Sequence, residues 1–173
     1  MQTQQAERIY EKQRQDRLDD DARTEAARLL EATERKAFVA HRFSRVLERY
    51  AKECAMVGSN HDDPSAGVTQ IPDLKFPNDI DWQAVGALRA AELRDFQNTI
   101  PLVKGFAVGR AGDYDPATEN PSREQAKKVF GDTAARLGRT AWRLAEALRK
   151  EAGIPPFAFV EDGWDYAAFL RDD

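Results

Sequence analysis

Two pairs of acids are the residues best placed by type and spacing to do chemistry. Glu31 and Glu34 are three positions apart in a stretch that reads as helix, and so are Glu92 and Asp95. That spacing puts both carboxylates of a pair on one helix face. Two such faces turned toward each other would offer hard oxygen ligands to a divalent cation, which would polarise a phosphate or activate a water. A blander account competes with this one. The chain has 30 acidic residues among 173, so the spacing arises easily by chance, and Arg35 and Arg94 stand beside the pairs as ready ionic partners.

These four positions resemble, at the level of pattern, the all-helical nucleotide pyrophosphohydrolases, in which such carboxylates hold magnesium. The resemblance covers four residues and implies a metal site at Glu31, Glu34, Glu92 and Asp95. Other constellations are thinner. His61-Asp62-Asp63 has no second cluster beside it, and two His with one Cys leave almost nothing for zinc chemistry. Asp113, Asp115 and Glu119 lack the glycine and the spacing of a calcium loop and read as a turn. His41, at the edge of an apolar stripe, reads as a packed histidine. No Ser/His/Asp or Cys/His motif and no phosphate-cradling glycine loop occurs. The chain therefore offers no catalytic set and no cofactor site beyond the acidic alternative.

The elements that would carry these residues are helices. From about Gln2 to about Val57 there is neither proline nor glycine. Small and apolar residues recur at Ala22, Ala26, Leu29, Thr33, Ala37, Ala40, Ser44, Leu47, Ala51 and Cys54, in steps of three and four that only a helix satisfies. From Phe38 a second stripe joins it, through Val39, Phe43, Val46, Tyr50 and Val57, and makes a wide apolar face. Before Lys36 the large apolar side chains are only Ile9, Tyr10, Leu18, Leu29 and Leu30. Residues 1–36 are thus expected to be a projecting polar helical arm, and residues 37–173 a helical bundle continuous with it.

Gly58 is expected to stop the first helix. A long Pro/Gly-rich linker follows to Pro77, with Leu74 and Phe76 turned inward. Asp79 or Asp81 is expected to cap a second helix carrying Trp82, Val85, Leu88, Phe96 and Ile100. Pro101 should kink it or begin a new helix, with Leu102, Phe106 and Val108 continuing the apolar pattern and Gly109 and Gly112 closing it. Ser122 and Gln125 form a capping box for a third helix, whose stripe runs from Ala126 to Leu148. Gly153 and Pro155-Pro156 end that helix. A short C-terminal helix should hold Trp164, Phe169 and Leu170. Strips at 71–76 and 157–160 are too short to predict a sheet. The fold class is all-α, with the stripes 22–54 and 126–148 packed at a shallow angle, parallel or antiparallel.

Charge is mixed rather than concentrated. Residues 1–57 hold 12 basic and 11 acidic groups, and no basic patch suits a nucleic acid. One cysteine, on the inner stripe, reads as a buried thiol. No stretch has the length and apolarity of a membrane span or of a signal peptide, so the chain reads as cytoplasmic. The function expected is a non-enzymatic helical scaffold or protein–protein interaction domain, with coiled-coil-like assembly through its long N-terminal helix. Its contacts are expected at Ile9, Leu18, Leu29 and Trp142, and its partner is a second copy or another helical protein. The alternatives are the metal-dependent pyrophosphohydrolase and the soluble part of a membrane-tethered protein.

Overall fold

A computed structural model describes residues 2–60, 67–112, 123–157, 160–161 and 164–171. Side chains are described at 10–60, 67–112, 123–157 and 168–170. The chain is all-α: α1 is Gln2–Ser59, α2 Ala87–Ala111, α3 Arg123–Glu151 and α4 Tyr166–Arg171. A two-residue antiparallel ladder, β1 Val160–Glu161 with β2 Trp164–Asp165, precedes α4. The chain divides into two compact units, Met1–Lys36 and Ala37–Asp173.

The first unit is helix throughout its described length, and every described side chain from Tyr10 to Lys36 is exposed. Several of its bonds are local. Gln15 donates to Asp19 at 2.8 Å, Arg28 faces Glu25, and Thr24 and Thr33 donate back to the carbonyls of Asp20 and Leu29. Such exposed pairs each stabilise a helix by only about 0.2–0.5 kcal/mol.

In the second unit the rest of α1 packs on α2 and α3. Phe43, Leu47, Leu93, Ile100 and Leu148 are its largest fully buried side chains, each worth about 1.5–3 kcal/mol of transfer. Contacts between α1 and α3 run in opposite directions. Ser44 meets Ala145, Cys54 and Ala51 meet Gly138, and Gly58 meets Ala135. The two helices are therefore antiparallel. Along α1 and α2 the order is instead the same: Phe43 touches Trp82 before α2 begins, and Tyr50 touches Phe96 within it. Parallel neighbours need a connection that returns the length of the bundle, which explains the long linker. Its extended part runs back along α2, with Asp73 bonded to Lys104, the Leu74 carbonyl to Gln97, and Asp79 to Arg42. Ile71, Leu74 and Phe76 are buried on the way, the last two as the alternation predicts.

Several expected boundaries move. Gly58 does not end α1, which continues through Ser59; its missing side chain instead admits Ala135, 3.1 Å from where a Cβ would stand. Trp82 and Val85 precede α2 rather than lying in it, because Asp79 and Asp81 are otherwise engaged. Asp79 pairs with Arg42, and Asp81 accepts from the Gln83 amide in a turn. Gly86, at φ 82°, leads into α2 with no side-chain cap. Pro101 starts no new helix: α2 runs unbroken to Ala111, with Pro101 on its exposed side, and Gly112 ends it in the left-handed conformation. Leu88, Leu102, Phe106 and Val108, expected on the apolar face, are exposed. Phe38 and His41 are exposed too, because the buried arc of α1 there is centred on Val39, Ala40 and Phe43. Trp164 lies in β2, and the last helix starts only at Tyr166. The hairpin takes in Val160, the last residue of the 157–160 strip from which no sheet is expected, and pairs it with Asp165. The expected Ser122 cap, His61-Asp62-Asp63, and Asp113, Asp115 and Glu119 lie outside the described residues.

The tightest point is Gly138. A Cβ there would stand 2.9 Å from the Cys54 Cβ and 3.2 Å from the Ala51 carbonyl oxygen. Gly138→Ala is expected to destabilise the bundle by about 1–3 kcal/mol, although alanine favours helix. Urea unfolding monitored by circular dichroism checks it, and an unchanged or raised midpoint would contradict the close approach.

Candidate functional site

The acidic pairs are placed on separate units. Glu31 and Glu34 are exposed on the N-terminal part of α1, and Glu92 and Asp95 are exposed on α2. Glu92 is engaged locally. The Arg89 guanidinium bonds to Glu92 on one side and to Glu151, at the end of α3, on the other. Those carboxylates, Glu151 first, hold the Arg89 pKa above its ordinary value. Among the described residues, no three His, Cys, Asp or Glu side chains are grouped so that they could hold a metal ion. An open pocket of about 260 Å³ lies at the start of α2 beside Val85, Gly86, Leu88, Arg89, Glu92 and Glu151. Its one cation is already shared by two carboxylates, so the pocket has little to offer an anion.

The buried ion pair is structural. Arg149 and Glu48 face each other across α3 and α1, with side chains 8% and 4% exposed. Arg149 donates Nε to Oε1 at 2.5 Å and Nη2 to Oε2 at 3.1 Å, and its Nη1 donates to the Pro155 carbonyl. Phe157 lies under the guanidinium groups of both Arg45 and Arg149. This cluster ties the segment after α3 to the bundle. Sequence reasoning missed it, because a lone Glu and a lone Arg 101 positions apart carry no motif. Among the described residues, Cys54 and Tyr50, one turn apart on the buried face, are the perturbed acids of the core. Burial pushes the Cys54 thiol up to about 12, against a smaller pull from the Tyr50 hydroxyl. Burial, and then Cys54, push the Tyr50 phenol up as well. Both stay protonated and neither is poised as a nucleophile.

The expected contact residues divide. Leu18 and Leu29 are 53% and 60% exposed, joined by Tyr10 and by Leu30 at 61%. The side chain of Ile9 lies outside the described residues. Trp142 is 4% exposed and packs beside Phe157. It belongs to the core, because the segment after α3 folds over it, and it leaves the set of outward contacts. The uncovered stripe is the feature that chemistry can act on. Ala22, Ala26, Leu29 and Thr33 are exposed, whereas Ala40, Ser44, Leu47, Ala51 and Cys54, which carry the same spacing onward, are buried.

No protein family, no curated protein and no solved structure matches this chain. No described helix is long and apolar enough to cross a membrane.

Two measurements test the assignment of these polar groups. Arg149→Met should cost about 3–5 kcal/mol, because it leaves the buried Glu48 carboxylate only the half-exposed Arg45 guanidinium at 3.7 Å, and adding Glu48→Leu should recover most of the loss. Urea unfolding of the single and double variants reads this directly. Cys54 and Tyr50 hold their protons more tightly folded than unfolded, so their contribution is fully present below the ordinary values of 9.0 and 10.0. It is lost as the pH rises. Stability should therefore fall from about pH 9 toward pH 12, and Tyr50→Phe should flatten that decline.

Proposed function

We propose that this protein is a non-enzymatic helical interaction module that assembles through the N-terminal part of α1, with a second copy as the occupant and another helical protein as the other candidate. One observation carries the reading. An apolar stripe buried from Ala40 to Cys54 continues at the same spacing through Leu29 and Ala22, where every described side chain is exposed. Helices without tertiary contacts are marginal in water, and covering Leu18, Leu29 and Leu30 would recover part of the roughly 1.5–3 kcal/mol that each full burial is worth. A cytoplasmic setting, which suits a single buried thiol, is part of the same proposal.

Sedimentation equilibrium tests it. The full chain should exceed the monomer mass. Removing residues 1–25, or replacing Leu18 and Leu29 by Asp, should bring the average mass closer to that variant's own monomer mass while the helical spectrum of the bundle persists. An unchanged ratio of measured to monomer mass in both variants would rule out this part of α1 as the contact.

A further inference from the structure

α2 has two seams. The inner one, Ala90, Leu93, Phe96, Ile100, Ala107 and Ala111, is buried. The outer one, Asp95, Thr99, Leu102, Phe106 and Gly109, advances by four and three in alternation, and each of its residues is exposed. Leu102 and Phe106 are 66% and 74% exposed. Beside them Gly105 and Gly109 interrupt the helix interior, where each glycine costs about 1 kcal/mol relative to alanine. Nothing in the chain requires them, since a Cβ at either position would meet no atom within 4 Å. Glycines that the chain's own packing does not use, next to an exposed Leu and Phe, fit the close approach of a helix from outside.

We propose that the outer face of α2 is a second self-association surface, on which α2 of another copy docks antiparallel. In the register that this spacing favours, Leu102 of each copy lies against Phe106 of the other, Thr99 lies beside Gly109, and Gly105 meets Gly105 near the two-fold axis. Charge selects the direction. A parallel pair would set Asp95 against itself. The antiparallel pair brings Asp95 to the end where Arg110 stands, offset by about 4.5 Å along the axis at 1.5 Å per residue, within reach of an arginine. Neither Asp95 nor Arg110 has an ion-pair partner among the described residues. A single helix face buries less than the roughly 1,200 Å² of a stable interface, so this contact is weak and reversible.

The surface is independent of the N-terminal contact, and the experiment separates the two. Sedimentation equilibrium is run on the full chain with Leu18→Asp and Leu29→Asp already in place. A concentration-dependent dimer should remain. Asp95→Arg or Arg110→Asp alone should weaken it by about tenfold or more, and the two together should restore it. Phe106→Glu should abolish it without changing the helical spectrum. A monomer at every concentration in the Leu18/Leu29 background overturns the proposal, as does a double swap no better than either single one. Equal masses with and without the Leu18 and Leu29 substitutions, combined with sensitivity to the charge swap, would sink the N-terminal contact and leave this one standing.

Discussion

The close approach of α1 and α3 is the constraint on which the second unit depends. Gly138 and Gly58 remove side chains where the two antiparallel helices come nearest, and Cys54, Ala51 and Ala135 fill the space. Helices brought this close align their stripes along a shared length. That alignment lets Ser44 sit under the Ala145 carbonyl and Glu48 reach Arg149. A larger residue at either glycine would push the helices apart and lengthen both contacts together. The ion pair thus depends on the apolar packing, and a buried pair is a poor source of net stability in its own right. What it adds is direction, since Arg149 also fixes the Pro155 carbonyl and Phe157 and so fixes how the chain leaves α3.

The second constraint is topological. With α1 and α3 antiparallel and α2 parallel to α1, the connection after α1 has to travel back before α2 can start. Its residues show how the return is held. Ile71, Leu74 and Phe76 supply apolar anchors, Phe76 and Trp82 stack edge-on with Phe43, and two exposed ion pairs fasten the ends. The carboxyls of Asp73 and Asp79 are held below the ordinary carboxylate range by Lys104 and Arg42. Since these pairs are exposed, they guide the linker more than they stabilise it.

Much of this architecture was legible in the residues. A stretch free of Pro and Gly, the Ala126–Leu148 stripe and the inward alternation of Leu74 and Phe76 all rest on periodicity, which reports burial directly. Boundaries were less legible, because capping residues were claimed by longer-range partners. Asp79 serves Arg42 instead of α2, and Gly58 serves packing instead of termination. The outer side of α2 could not be separated from its inner side, since Leu88, Leu102 and Phe106 are as apolar as Leu93 and Ile100, and only burial tells them apart. The Glu48–Arg149 pair was invisible for a different reason: charge complementarity between distant positions has no spacing rule. Trp142 shows the converse error, an aromatic on a stripe edge that the chain itself covers.

Cys54 is fully buried and lies against Gly138, where even a methyl group has no room. An alkylating reagent can reach its sulfur only when α1 and α3 part. The chain therefore contains its own gauge of breathing: the rate at which this thiol is labelled counts how often the bundle opens, with no dye or engineered probe.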